Sequence, residues 1–509
     1  MSKTTTLTAN DGSTVQYVDN GSPMQGGLKD VYFSPDKSYV VAFFRQKFKP
    51  ADYSAQKDRL TTIASIYRER IFNQVGGEYW KDLYCWPTKV VEHNGLIGVV
   101  VPVYQQHFFF KTGYNPAAAA IASIAGKEKE GKWFAAAQFR NTAFKLHLDK
   151  KELGDWFKYL LICIRISRAV RRMHAAGLAH SDLSYKNVLI DPSTGFAAII
   201  DIDGLVVPGK FPPDVIGTPD FIAPEVMATR HLPKNDPGRK LPSITTDRHA
   251  LAVMIYMYLL YRHPLRGGKV NDLDSDKDEM LSMGEKALFV EHPTEKSNRP
   301  KLAQVKATHL PWADVAKIPY TICGPYLKAL FDRAFINGLH SPGQRPTADE
   351  WEGALSKTVD LLQPCQNPQC DQKWFVFVNT TKPSCPFCRS PYTAQLPILN
   401  LYWSRKVGSF VPEDHRLMVY HNQYLYPWHV HRNITPNERL SPEQKKPVGY
   451  FALHGGKWML VNQSMTSLRD ITEGKDIPLG QMVELTNNKK LLLSSQEDGR
   501  LVVIQIVNN

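Results

Sequence analysis

The chain has 509 residues, of which 43% are hydrophobic and 22% charged. That length leaves room for two or three domains, and the composition excludes a disordered, fibrous or disulfide-framed protein. Its net charge of +13 is spread along the chain rather than gathered in one block, so a generally basic surface is expected and a nucleic-acid partner is not. No stretch approaches the ~18 apolar residues of a membrane span. The longest apolar run, Ala250 to Tyr261, reads as a buried core helix. The N-terminal residues lack the apolar run of a signal peptide. With seven cysteines, four of them in two close pairs, a reducing cytoplasm is the expected location.

Residues 1–104 read as strands with one helix. Val31-Tyr32-Phe33 and Tyr39 to Phe44 are apolar strands around the turn Ser34-Pro35-Asp36-Lys37. Leu60, Ile63, Tyr67 and Ile71 then recur at helical spacing. Gly95 to Tyr104 is a further strand. Residues 105–150 and 266–318 are charged, Pro- and Gly-broken or Ala-rich, and are expected to be surface insertions. A helix from about Trp156 to Met173 precedes the segment of greatest interest, and helical patterns dominate from Thr246 to about Leu362. At Pro364 the composition shifts. Residues 363–395 hold the cysteine pairs, and from 410 to 509 short apolar runs alternate with turn signals, the pattern of a small β-sandwich.

The segment His180-Ser181-Asp182-Leu183-Ser184-Tyr185-Lys186-Asn187 sets an Asp two positions after a His and an Asn five positions after that Asp. The strand Ile199-Ile200 ends on Asp201, 19 residues past Asp182. Phosphoryl transfer requires a carboxylate to orient the attacking hydroxyl, and a carboxamide and second carboxylate to hold Mg²⁺ on the phosphates. Asp182 is the candidate base, and Asn187 and Asp201 the candidate Mg²⁺ ligands, hard oxygens for a hard cation. Asp203, in Asp201-Ile202-Asp203-Gly204, is the alternative ligand.

Order and spacing resemble the protein kinase superfamily. Gly217-Thr218-Pro219-Asp220-Phe221-Ile222-Ala223-Pro224-Glu225 resembles the end of an activation segment, and Asp247 the buried Asp beneath the catalytic loop. Arg345 resembles the buried Arg that pairs with Glu225, and the two are expected to meet. The resemblance implies an α+β, two-lobed fold, with a small lobe at 1–104 and a large lobe at 105–362. It also implies ATP and Mg²⁺ as cofactors and a protein substrate. Val103 and Tyr104 fall where a hinge contacts adenine, and Gly26 and Gly27 where a Gly-rich loop covers phosphates. Arg45, with Lys47 second, falls where a cation pairs with phosphate, and Glu69 is its expected partner, although a solvated helix position is the other reading of Glu69. Ser181 replaces the Arg that reads an activation-loop phosphate. Lys186 stands where a basic residue can neutralise the transferred group. Thr218 leans toward a serine/threonine substrate.

The set is most similar to bacterial kinases of the tellurite-resistance-associated phosphorylation triad, acting in signalling, stress or defence. That likeness implies a PP2C-type phosphatase and a von Willebrand A protein as partners. The sparse glycine loop and the missing small-lobe Lys motivate a pseudokinase scaffold as the main alternative, with nucleotidyl transfer as the third. Cys365-x₄-Cys370 and Cys385-x₂-Cys388 have the spacing of a structural four-cysteine zinc ribbon. The C-terminal β region faintly resembles a forkhead-associated domain without its usual phosphate motif. His421, His429 and His431 read as surface or turn residues.

Overall fold

A computed structural model describes residues 3–507, apart from 26–27, 47–48, 75–76, 115–122, 208–209, 214–216, 234, 378–382 and 407. The chain mixes helices and sheets and divides into two compact units. The first holds residues 1–154, 161–316 and 330–352; the second holds 155–160, 317–329 and 353–509.

In the first unit, β1 (Lys3–Thr8) and β2 (Thr14–Asp19) form a hairpin. The strands β3 (Met24–Gln25), β4 (Lys29–Phe33), β5 (Tyr39–Phe44), β6 (Lys89–His93) and β7 (Leu96–Pro102) form an antiparallel sheet in the order β3-β4-β5-β7-β6. Side chains alternate across β5, as the pleat requires. Val41 and Phe43 pack with Val15 and Tyr17 of the hairpin. Ala42 and Phe44 pack on the other face against Leu60 and Ala64. Those two residues belong to one helical run: α1 (Pro50–Thr62), a π-turn over Ile63–Tyr67, then α2 (Arg68–Phe72). Proline at its first position suits a helix start, where no N–H partner is needed. α3 (Gly77–Lys81) follows.

The larger part of this unit is built on helices. α4 (Lys150–Leu153) and α5 (Trp156–Ala175) precede the short antiparallel pair β8 (Val188–Asp191) and β9 (Phe196–Ile199). α6 (Pro224–Thr229), α7 (Ile244–Leu260) and α8 (Ser275–Met283) follow; α9 (Pro325–Asp332) and α10 (Ala348–Val359), later in the chain, each carry residues of both units. α7 is buried on nearly every face, as an all-apolar helix must be. A capping box between Ser243 and Thr246 satisfies its first N–H groups.

The two expected surface insertions are not peripheral. Residues 105–150 bury Phe108, Phe110 and Phe134 and add one isolated bridge to β8, Glu130 to Leu189. Lys129 lies inside, between Glu152 at 3.0 Å and Asp191 at 3.1 Å. The charged run that suggested a solvated face thus includes one compensated buried cation. Residues 266–318 likewise bury Phe289, Val290 and Trp312.

In the second unit, β10 (Leu362–Pro364) pairs with β11 (Trp374–Val376) beside the cysteines. Two antiparallel sheets then enclose one core. The first runs β13-β12-β21-β20-β17-β18, from β12 (Leu396–Lys406), β13 (Ser409–Met418), β17 (Arg469–Asp470), β18 (Lys475–Asp476), β20 (Lys490–Leu492) and β21 (Arg500–Val507). The second runs β14-β15-β16-β19, from β14 (Tyr424–Leu425), β15 (Gly449–His454), β16 (Lys457–Asn462) and β19 (Met482–Glu484). Leu399, Leu417, Phe451, Trp458, Leu460, Val502 and Ile504 meet between them. The β region begins at Leu396, because β12 pairs along its length with the C-terminal β21. His429, on the short helix α11 (Pro427–Val430), is buried and bonds Asp360 at 3.2 Å, so it is not a surface residue.

Candidate active site

α5 ends at Ala175, and the chain turns through Gly177 in the left-handed region, which glycine adopts without strain. The next loop is fixed from below by Asp247, near the start of α7. Its carboxylate accepts the backbone N–H of His180 at 2.7 Å and of Ser181 at 3.2 Å, and faces His174 Nε2 at 3.2 Å. His180 Nε2 donates to the Ile200 carbonyl at 2.9 Å, tying this loop to the residue before Asp201. Ser181 holds a positive φ of 67°. The chain thereby presents Asp182 with both oxygens engaged. Oδ1 accepts from the Thr218 N–H at 2.6 Å and hydroxyl at 2.9 Å. Oδ2 accepts from Asn187 Nδ2 at 3.0 Å, which also donates to the Asp182 carbonyl at 2.8 Å. With its NH₂ turned inward, the Asn187 amide oxygen is directed the other way. Asn187 is buried, and its carbonyl accepts the Ile200 N–H at 3.0 Å, so Asp182, Asn187 and the start of the Asp201 loop form one connected patch.

Asp201 adopts a left-handed conformation (φ 56°), which Asp tolerates better than most residues. Its side chain is 62% exposed, whereas that of Asp203 is 10% exposed. Lys29, the first residue of β4, reaches both: Nζ lies 2.6 Å from Asp203 and 3.4 Å from Asp201. Burial alone would lower the Lys29 pKa, but the two carboxylates, Asp203 first, outweigh it and hold it above the ordinary value. Arg59 of α1 is buried and donates to the carbonyls of Gly204 at 2.8 Å and Leu205 at 3.0 Å. α1 thus braces the Asp201 loop with a cation. A cluster of hard oxygens on Asn187, Asp201 and Asp203 fits Mg²⁺ by donor chemistry.

Beyond this patch, the chain leaving β7 passes Val103 and Tyr104. Tyr104 packs on an apolar cluster of Phe108, Leu189, Ala198 and Ile200, with Cys85 beside it. Burial pushes the Tyr104 hydroxyl well above its usual value and the Cys85 thiol up to about 12. Cys85 is therefore an inert neutral thiol, whose Sγ lies 3.3 Å from the Pro102 carbonyl. Asp182 also borders a shallow depression lined by Leu183, Gly217, Thr218, Phe221, Ile222 and Val226, among others. Tyr185 donates to Asp220 at 3.0 Å, and Arg266 clamps that carboxylate at 2.6 Å.

Residues 136–350 match the protein kinase domain. The kinase domain has distant relatives among curated proteins. The chain is 32% identical to the death-associated protein kinase dapk-1 of Caenorhabditis elegans over 25% of its own length and 8% of that protein's. It is 27% identical to the serine/threonine-protein kinase PkaB of Streptomyces coelicolor over 25% of its length and 31% of that protein's. It is 23% identical to a dual serine/threonine and tyrosine protein kinase of Strongylocentrotus purpuratus over 30% of its length and 14% of that protein's. The aligned region thus spans less than a third of the length of each of these relatives.

Within the matched residues, the structure brings Asp182, Asn187 and Asp201 into one patch. Lys186 follows Tyr185 and is exposed at its edge. The expected pair of Arg45 with Glu69 does not form. Arg45 lies beyond the end of β5 with Nε 3.8 Å from Asp30, whose register partner is Phe43, on the face turned to the β1–β2 hairpin. Glu69 is exposed on α2, which is the alternative reading of that position, and the helical run reaches the Asp201 loop through Arg59 of α1. Gly26, Gly27 and Lys47 lie outside the described residues. The sequence reading missed Lys29 and Arg59. Lys29 opens a strand two residues after the glycine pair, but nothing local in the sequence says which residue of the next strand it faces.

In the second unit, the Sγ atoms of Cys365, Cys370, Cys385 and Cys388 lie within 4.8 Å of one another. Cys365 and Cys388 are 3.5 Å apart, and Cys370 and Cys385 3.8 Å. Ligands at ~2.3 Å from a tetrahedral centre stand about 3.8 Å apart, so these thiols have the spacing of a four-sulfur metal site. Trp156 packs on Phe387, and Phe157 on Trp374, holding both knuckles. Among the described residues, no helix is long and apolar enough to cross a membrane.

Proposed function

We propose that this chain is an ATP- and Mg²⁺-dependent protein kinase acting on serine or threonine. The observation that supports this most is the double engagement of Asp182, by Thr218 on one oxygen and Asn187 on the other, beside the Asp201 loop. Asp182 orients the acceptor hydroxyl and takes its proton as phosphorus–oxygen bonding develops. Asn187 and Asp201, with Asp203 beside them, would hold Mg²⁺, which neutralises phosphate charge when bound. Tyr104 and the apolar cluster beneath it supply a surface for adenine, and Lys186 supports the transferred group. Thr218 on Asp182, together with the named serine/threonine kinases among the relatives, favours a hydroxyl of serine or threonine as acceptor. With Ser181 in place of a phosphate-reading Arg, activity does not require activation-loop phosphorylation.

The four cysteines hold a structural Zn²⁺, since protein sulfurs fill all four positions. The strand order of the two C-terminal sheets supports a forkhead-associated-like β-sandwich that docks partners. A place in the tellurite-resistance-associated triad, in the cytoplasm with a PP2C-type phosphatase and a von Willebrand A protein, rests on the sequence resemblance.

Incubation with α- or γ-labelled ATP and a generic protein acceptor tests the central reading. Wild-type protein should transfer label from the γ position only, and Asp182→Asn and Asp201→Asn should lose roughly 10²-fold or more of that rate. Transfer from the α position would mean nucleotidyl transfer, and no transfer would leave a scaffold.

A further inference from the structure

We propose that Lys29 is the cation that binds the nucleotide's phosphates, delivered from β4 because β5 has none to give; this rests on the kinase reading above. Every residue of β5 from Val41 to Phe44 is apolar and buried, with Val41 and Phe43 in one core cluster and Ala42 and Phe44 in the other. A charge at any of these positions would lose its hydration to the core. Lys29 stands directly opposite Phe44 in the antiparallel register. Facing residues of a pair project from the same side of a sheet, one strand spacing (about 4.8 Å) apart. The flexible four-carbon stem of a lysine covers that offset. Lys29 Nζ lies 5.1 Å from the centre of the Phe44 ring, so its stem runs along the side chain at the opposed β5 position. Its ammonium ends between Asp203 and Asp201, where a Mg²⁺-bound nucleotide would bring its phosphates. The side chain is 16% exposed, so the charge acts in a partly desolvated setting, where it counts for more than on an open surface.

A purely structural reading makes the same ion pairs a strut between β4 and the Asp201 loop. The two roles separate on ligands with and without phosphate. Full-length wild type, Lys29→Met, Lys29→Arg and the relocation variant Lys29→Met/Phe44→Lys are titrated with Mg·ADP and with adenosine by calorimetry, alongside melting curves. Lys29→Met should bind Mg·ADP roughly 10- to 100-fold more weakly, the range for losing a hydrogen bond to a charged group, and adenosine within about twofold of wild type. Lys29→Arg should recover part of the loss. If the relocation variant folds, it should recover part as well, because the charge returns from the opposed strand. Unchanged Mg·ADP affinity in folded Lys29→Met, or equal weakening of ADP and adenosine, overturns the proposal and leaves the kinase reading standing where wild type still transfers γ-phosphate. Wild-type protein that binds neither ligand overturns both.

Discussion

Arg345 and Glu225 are 120 residues apart in sequence and meet in a two-pronged ion pair, Nη1 to Oε1 at 2.8 Å and Nη2 to Oε2 at 2.7 Å. Three carbonyls take the remaining guanidinium hydrogens: Gly338 from Nε, Thr245 from Nη1 and Leu339 from Nη2. All five donors of a fully buried Arg are therefore used, and the pair anchors the segment after Thr218 to the helical part of the kinase domain. Glu225→Ala leaves an uncompensated buried cation and should cost about 3 kcal/mol of stability. Arg345→Lys should also destabilise, because an ammonium cannot reproduce the fork. Urea unfolding of full-length protein is the check, and wild-type midpoints for both variants would contradict it.

Thr218 gives Asp182 two donors, one from the backbone and one from the hydroxyl. Thr218→Ala removes the second and keeps the first. The expected result is a fall in the maximal phosphorylation rate of roughly tenfold, with little change in the ATP concentration needed for half-maximal rate. Thr218→Ser, which keeps the hydroxyl, should restore most of the rate. Equal rates for the Ala and Ser variants would show that the hydroxyl does not position Asp182.

His263 is buried with both ring nitrogens occupied: Nε2 donates to the Asp220 carbonyl at 2.9 Å and Nδ1 accepts the Leu265 N–H at 3.1 Å. Burial pushes its pKa down from 6.5 to about 4. The unfolded chain therefore binds more protons between those values, so the stabilisation is complete above pH 6.5 and is lost as pH falls toward 4. Its full size is about 3 kcal/mol. His249, buried without a bond at either ring nitrogen, is lowered by burial too and adds in the same direction. Denaturant midpoints measured from pH 7.5 to 4.5 should decline below pH 6.5. The decline should be shallower in His263→Gln, which keeps a donor and an acceptor but does not titrate.

The meeting of Asp182, Asn187 and Asp201 was legible because their spacing is local. Asp182 and Asn187 share one short loop, and Asp201 ends an apolar strand. The anchors at Asp247 and Arg345 were legible through the motifs that resemble the protein kinase superfamily, together with the cost of leaving a buried charge unpaired. Lys29 was hidden because its role depends on which residue of the next strand it faces, a register that no local pattern encodes. Arg45 misled for the same reason, since one step along β5 changes the face. The insertion at 105–150 misled because its charges suggested solvent, while Lys129 pairs inside with Glu152 and Asp191. His429 was misread because Asp360, its partner, is 69 residues away in sequence.

The cysteine cluster gives the last prediction. Among the described residues, β11 is the strand between its pairs, and β10–β11 is a two-stranded sheet of three residues each. So small a ribbon has little packing of its own to hold four thiols within 4.8 Å, and a bound metal is expected to supply part of the free energy. Purified protein should contain one zinc per chain. A strong chelator should release it, and the melting transition of the second unit should fall or broaden while nucleotide binding by the kinase domain persists. Cys385→Ser should reproduce the effect, because three sulfurs leave the tetrahedron open. Cobalt substituted for zinc should show the visible absorption of four-sulfur tetrahedral coordination. Zinc-free protein with an unchanged melting curve would mean that these cysteines are ordinary core thiols.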